Sequence, residues 1–111
     1  MPSTHLRQTV LTKARRIVVK LGTQLLTGDD GLLDLPFLKE MARQIAELRQ
    51  RSFEVTVVSS GAIGAGCAEL QPAKRPKDVA DLQAIAAVGQ PRLMLHMHEA
   101  FAAFDLVPAQ V

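Results

Sequence analysis

The stretch Val57-Val58-Ser59-Ser60-Gly61-Ala62-Ile63-Gly64-Ala65-Gly66 contains the change of pattern that decides the fold. A β-branched run ends in two serines and a glycine, and the residues that follow are typical of a helix. A strand, a tight turn and a helix in this order let backbone N–H groups and a helix N-terminus face an anion. We therefore expect the functional site of the chain at this turn.

The glycines at positions 61, 64 and 66 weaken the helix that this pattern predicts. Each costs roughly 1 kcal/mol relative to alanine inside a helix. Their presence indicates that either a ligand or another backbone approaches the helix closely. Ser59 and Ser60 are both suited to capping the helix, and a serine at this place can also contact a ligand, so both roles remain open.

A second apolar run lies upstream, at Arg16-Ile17-Val18-Val19-Lys20-Leu21, and stops at Gly22-Thr23. Its continuous β-branched character predicts a strand that is buried on both faces, as in parallel sheets. Lys20 must then either reach solvent or face a polar pocket. Because the ligands of open α/β sheets bind outside the carboxyl ends of the strands, Lys20 is a candidate functional residue.

A helix is predicted between the two apolar runs. Asp34-Leu35-Pro36 opens it, with the aspartate as the cap and the proline in the first turn. One face carries apolar residues at helical spacing: Leu35, Leu38, Met41, Ala42, Ile45 and Leu48. With a second strand over Phe53–Val58, this arrangement predicts a right-handed βαβ unit with parallel strands. Gly22-Thr23 and Ser59-Ser60-Gly61 would then lie at one edge of the sheet.

The second half of the chain carries fewer chemical signals. Residues 71–77 contain two prolines and three cations, and we interpret them as a solvated loop rather than a phosphate contact. Asp78 or Asp81 begins a long helix over Val79–Phe104, in which Pro91 predicts a kink or a break. Residues 106–111 have the pattern of a third strand.

Composition limits the class of protein. The 111 residues fit one small domain, and 48% hydrophobic with 22% charged residues is typical of a globular protein. A net charge of +2 and the absence of Trp and Tyr give no support to nucleic-acid binding. No run approaches the ~18 apolar residues of a membrane span. We interpret residues 1–15 as a solvated basic tail rather than a transit peptide.

No metal site is predicted. Asp29 and Asp30 stand in a glycine turn and are interpreted as turn formers, and His96 and His98 are spaced so that they do not share a helix face. The single cysteine, Cys67, excludes an internal disulfide and fits a reducing compartment. We expect it to be a small core residue rather than a reactive thiol.

Several motifs in register resemble the glutamate 5-kinases of the amino acid kinase family. In chain order they read VVKLGT at 18–23, LTG at 26–28, VSSGAIGAG at 58–66, LQAIAAVGQ at 82–90 and RLM at 92–94. Their order and spacing are similar to that family from about Arg16 to the last residue. A Rossmann dinucleotide domain is disfavoured, because the glycines run G-x-x-G-x-G instead of G-x-G-x-x-G.

The resemblance implies a three-layer αβα fold with a mostly parallel sheet. Residues 16–111 would form its N-terminal half, with about three strands and three helices, after the tail 1–15. It also implies a cytoplasmic enzyme that uses ATP and Mg²⁺ to phosphorylate the side-chain carboxylate of L-glutamate, the first step of proline synthesis. The full-length enzyme would be a homo-oligomer.

The resemblance also implies roles for six residues. Lys20 matches the catalytic lysine that neutralises charge on the transferring phosphoryl group. The phosphate side would be formed by Lys20, Gly22 and Thr23, and the glutamate side by Ser60, Gly61 and Ala62. A fixed cation and two glycine turns suit phosphoryl transfer, which depends on positioning and on charge stabilisation.

The family's kinase domain continues past the strand expected at residues 106–111, and the rest of its glutamate, ATP and magnesium sites has no match in this sequence. We therefore expect a fragment that is inactive alone and that self-associates or dissolves poorly, because a small open sheet exposes an edge and apolar surface. The alternative is a non-catalytic module that binds glutamate or serves assembly.

Overall fold

The computed structural model describes residues 2–111, and side chains from residue 4 onward. Helices and strands follow one another in the order α1 (Pro2–Lys13), β1 (Arg16–Leu21), α2 (Thr23–Leu26), α3 (Leu35–Gln50), β2 (Glu54–Ser59), α4 (Ala62–Leu70) and α5 (Val79–Ala102). The α/β class that the sequence predicts is confirmed.

The two strands pair in parallel, as predicted, from Arg16 opposite Glu54 to Leu21 opposite Ser59. Parallel strands need a crossover connection, which α3 provides. The cap of α3 is also confirmed, because the side chain of Asp34 accepts a hydrogen bond of 3.0 Å from the amide of Phe37. Both strands consequently end at the same edge of the sheet.

The sheet is buried on one face only, so the prediction of burial on both faces is wrong. Residues alternate along β1, and Val19 and Leu21 pack on a core built from α3, α4 and α5. The opposite face is open, with Val18 69% exposed and Val58 50% exposed. Within residues 2–111 no helix covers this open face, since every residue of β1 and β2 that lies on it is exposed. The apolar pattern of the strands predicts that both faces of the sheet are covered, but the described residues cover only one of them.

Both ends of the chain differ from the expectation. Residues 2–13, expected as part of a solvated tail, form the helix α1, whose described side chains are nearly all exposed. Residues 106–111 form no strand, so the predicted third strand is absent. A strand requires a neighbour to complete its hydrogen-bond ladder, and the sheet of the described residues contains β1 and β2 alone.

A kink or a break is predicted at Pro91, and the break is wrong, because α5 continues through this residue to Ala102. Proline removes one backbone hydrogen bond from a helix interior. Leu93 and Met97, which follow it in the same helix, are buried in the core and hold α5 in place.

Among the described residues, no helix combines the length and the apolar character needed to cross a bilayer.

Candidate functional site

The carboxyl ends of the two strands meet at the turn that the sequence singled out. Lys20 lies opposite Val58 in the parallel register, and the backbone amide of Ser60 donates a hydrogen bond of 3.1 Å to the carbonyl oxygen of Leu21. The loops that follow β1 and β2 therefore begin side by side.

Lys20 is exposed, on the same open face of the sheet as Val18. Alternation along β1 explains this, since Val19 and Leu21 point to the core and their neighbours do not. Within residues 2–111, no carboxylate lies within ion-pair distance of Lys20. Its ammonium group is therefore available to an anion at the sheet edge.

The first loop contains a short helix, α2, that the sequence analysis missed. Gly22 is its N-cap, and the Gly22 carbonyl accepts hydrogen bonds from Leu25 (3.1 Å) and Leu26 (3.3 Å). Leu26 is completely buried and fixes this helix to the core. The first amides of a helix lack intrahelical acceptors. The N–H groups of Gly22 and Thr23 can therefore donate hydrogen bonds to a group outside α2. The apolar pair Leu25-Leu26 was the feature of the sequence that could have indicated this short helix.

The second loop is capped by glycine and not by serine. Gly61 is the N-cap of α4 and has φ +142°, a conformation that favours glycine, so the prediction that Ser59 or Ser60 caps the helix is wrong. Ser60 is exposed, and its hydroxyl makes no hydrogen bond to any described residue. The capping role of Ser60 is thereby excluded, and its contact with a ligand stays a prediction.

The turn at Gly61 is supported from behind by side chains of other elements. A Cβ atom at this position would lie 3.2 Å from Cδ1 of Leu26 and 3.6 Å from Cδ1 of Leu93. Both leucines are fully buried. The turn is therefore packed between α2 and α5, and a Cβ atom at position 61 would require the side chain of Leu26 to shift by a few tenths of an ångström.

The other two glycines of the motif serve backbone packing. A Cβ atom at Gly64 would lie 2.9 Å from Cγ2 of Thr27 and 3.1 Å from the carbonyl oxygen of Gly31. A Cβ atom at Gly66 would overlap the carbonyl group of Ile85 in α5. Of the two explanations that the sequence allowed, close approach of another part of the chain accounts for both positions: the loop at Thr27 and Gly31 for Gly64, and the backbone of α5 for Gly66.

Two concave features of the described residues lie away from this turn. One cavity of about 340 Å³ is lined by Asp30, Gly31, Leu32, Cys67, Ala68, Gln71, Pro72 and Arg75. Cys67 is half-buried at this wall, not fully buried in the core as predicted. Asp30 has the turn-forming role that was predicted, since its Oδ1 accepts a hydrogen bond of 3.0 Å from the amide of Leu32. Lys20 and Ser60 line neither this cavity nor a second one beside Phe104.

Neither the arrangement of possible metal ligands nor the shifted pKa values indicate a second functional site among the described residues. Among residues 2–111, no group of three or more His, Cys, Asp or Glu side chains is arranged to hold a metal ion. Hydrogen bonds from Arg43 and Gln44 lower the pKa of Glu40 from 4.5 to about 2. This cluster lies on the exposed face of α3, where it stabilises the surface of that helix.

Comparison with known proteins adds an independent line of evidence. The model of the amino acid kinase family matches residues 15–111. A protein of Thermus thermophilus named glutamate 5-kinase is 53% identical over 98 residues, which are 88% of this chain and 26% of the relative. Proteins of the same name from Citrifermentans bemidjiense and Chromobacterium violaceum are 46% and 47% identical over 96% and 92% of this chain. The chain spans about a quarter of the length of these relatives.

Proposed function

This chain belongs to the amino acid kinase family, and from that premise we propose that it supplies the lysine and the two glycine turns of a glutamate 5-kinase active site. The reaction of the whole protein would be transfer of the γ-phosphate of ATP to the side-chain carboxylate of L-glutamate. The shared name of the relatives and their identity of 42–53% support this choice of substrate.

One observation carries the proposal, namely the hydrogen bond from the amide of Ser60 to the carbonyl of Leu21, which joins the ends of two parallel strands. On one side of it the chain offers the Ser60 hydroxyl and the first amides of α4, at Gly61 and Ala62, for glutamate. On the other side it offers Lys20 and the amides of Gly22 and Thr23 for the phosphoryl group.

These groups match what the reaction demands. A carboxylate oxygen of glutamate forms a bond to the γ-phosphorus while the bond from that phosphorus to the β,γ-bridging oxygen of ATP breaks, and ADP leaves with the bonding electrons. The two reactants are both anionic, so fixed positive charge and oriented N–H donors lower the barrier. Lys20 would neutralise charge on the transferring group, and Ser60 would orient the glutamate.

The residues fit a polyphosphate better than they fit a metal ion. Lys20 and helix-initiating amides are donors for phosphate oxygens, whereas the described residues contain no cluster of metal ligands. When bound to the phosphates of ATP, Mg²⁺ supplies further neutralisation of charge. The chain's own part is to bind and orient the phosphoryl group.

The same proposal includes four further properties. They are a domain boundary between residues 15 and 16, a cytoplasmic location, assembly into a homo-oligomer and a place in proline synthesis.

Two proteins test the proposal, the chain itself and a chimaera in which it replaces the matching part of the Thermus thermophilus glutamate 5-kinase. Each is incubated with L-glutamate, ATP and Mg²⁺, and γ-glutamyl phosphate is measured. We expect activity from the chimaera and none from the chain alone. A chimaera that folds, by circular dichroism, but produces no γ-glutamyl phosphate contradicts the proposal.

Calorimetry separates this function from that of a non-catalytic module. L-Glutamate is titrated into the chain, and L-aspartate is the control ligand, because it carries the same groups on a shorter side chain. Saturable binding of glutamate together with an inactive chimaera would favour a binding module. Turnover by the chimaera favours the kinase.

A further inference from the structure

Gly89 of α5 packs against the first turn of α4. It is buried, and a Cβ atom built on it would overlap the carbonyl oxygen of Ala62 and the backbone nitrogen of Gly66. The carbonyl carbon of Ala62 would lie 2.8 Å from the same Cβ atom. Backbone therefore meets backbone at this crossing, and no residue other than glycine fits without movement of one helix.

Gly89 is the middle of three residues of α5, spaced by four, that contact α4 or its N-cap. Ile85, one turn earlier in α5, lies against Gly66, and Leu93, one turn later, lies against Gly61. Residues spaced by four share one face of a helix. This face of α5 therefore packs along α4 from Gly66 to the N-cap at Gly61. The contact at Gly89 sets how closely the two helices approach.

We propose that Gly89 is a positioning residue for the glutamate-side turn, because contact of its bare backbone with Ala62 fixes where the amides of Gly61 and Ala62 stand relative to β1. Gly89 itself touches no substrate. The inference rests on the proposed function for the identity of the ligand, whereas the position of the turn can be measured without any ligand.

An alanine at position 89 separates packing from helix propensity. Within an exposed helix, exchanging glycine for alanine is favourable, so a propensity effect alone would leave α5 more stable. The overlap with Ala62 acts in the opposite direction and moves the first turn of α4. Ala87 is exposed in the same helix, so A87G is the matched control that changes propensity without touching α4.

The test compares the chain with its G89A and A87G variants by ¹H–¹⁵N NMR. We expect G89A to shift the amide signals of Gly61, Ala62 and Ile63 and to leave those of residues 35–50 in place, whereas A87G leaves both sets in place. In a glutamate titration of the chimaera, G89A should weaken binding by about tenfold, since small displacements of positioning groups are costly. Unchanged signals at 61–63 in folded G89A overturn the inference.

Two further outcomes keep the proposed function and the positioning role apart. If the folded chimaera shows no saturable response to glutamate, the proposed function fails, while the shifts at 61–63 in the G89A chain still support a positioning role or refute it. If G89A does not fold, nuclear Overhauser contacts decide. Contacts between the α-protons of Gly89 and the backbone of Ala62 and Gly66 support the inference, and their absence overturns it.

Discussion

The amide of Ser60 donates a hydrogen bond to the carbonyl oxygen of Leu21 across 3.1 Å, and this bond closes the parallel ladder at the edge where both strands end. It continues the register in which Lys20 lies opposite Val58. A cation and a hydroxyl that are 40 positions apart in the sequence are thereby attached to adjacent backbone. Substitutions at this edge can separate what it does chemically from what it does for stability.

Replacing Lys20 by methionine tests the phosphate side. In the chimaera, K20M should lower kcat by about 100-fold, because one oriented donor at the developing charge is lost, and should leave the KM for glutamate nearly unchanged. Steady-state kinetics measures both. The control is R16M, which removes a positive charge from the same strand but breaks only the exposed ion pair of Arg16 with Glu54. Equal losses in K20M and R16M would contradict a specific role for Lys20.

Replacing Ser60 by alanine tests the glutamate side. Because the hydroxyl is exposed and makes no hydrogen bond to a described residue, the stability of the chain should change by no more than about 0.5 kcal/mol. In the chimaera, the KM for glutamate should rise about tenfold, the effect of losing a hydrogen bond to a charged group. S59A, at the exposed neighbouring position, is the control. Wild-type kinetics in S60A would refute substrate contact by this side chain.

The backbone conformation requires glycine at position 61 but not at position 22. Gly61 has φ +142° and its Cβ would crowd Leu26, so G61A should cost about 1–3 kcal/mol of unfolding free energy. Gly22 has φ −75° with no atom within 4 Å of its Cβ, so G22A should raise stability by about 0.4–1 kcal/mol through the unfolded chain. Urea unfolding of the two variants measures both changes. Equal costs would show that the backbone at Gly61 is unstrained.

The Glu40–Arg43 pair predicts a specific dependence on pH. Hydrogen bonding from Arg43 lowers the pKa of Glu40 to about 2, below its value in the unfolded chain. The pair therefore stabilises the folded chain above about pH 4.5, and this contribution disappears as the pH falls toward 2. The effect is small, because solvent screens the side chain, which is 52% exposed.

An NMR titration of the Glu40 carboxyl carbon checks this value directly. We expect R43Q to raise the pKa of Glu40 toward 4.5. K39Q removes a charge from the neighbouring residue without removing a hydrogen bond to Glu40, and it should leave the titration nearly unchanged. A wild-type Glu40 that titrates close to 4.5 would show that the ion pair is not formed in solution.

The features that sequence predicts well in this chain are set by neighbouring residues. The bounds of β1, the cap at Asp34 and the parallel pairing follow from local pattern and from the length of the connection. Burial of Val18 and strand formation at 106–111 depend on what lies beside them, which a local pattern does not contain.

Two errors of the sequence-based prediction have the same origin. Ser60 satisfies the rule for a helix cap, yet α4 begins one residue later, because Gly61 adopts the positive φ that lets the chain turn between Leu26 and Leu93. Pro91 satisfies the rule for a helix break, yet the buried side chains that follow it hold α5 together. In both cases packing from elsewhere in the chain overrides a local preference. The choice between ligand and chain packing also required the position of the loop at residues 27–31, for Gly64, and of α5, for Gly66.

The open face of the sheet predicts self-association of the chain. Val18 and Val58 are 69% and 50% exposed on neighbouring strands, and an uncovered apolar sheet with free strand edges pairs readily with other copies. Analytical ultracentrifugation over a concentration series should show species larger than the 12.0 kDa monomer. V18T should shift the distribution toward the monomer, because threonine keeps the strand preference while adding a hydroxyl to the exposed surface. T56V, at an exposed position of β2 between its ends, should shift it the other way. A wild-type chain that stays monomeric at all concentrations would show that the open face does not drive association.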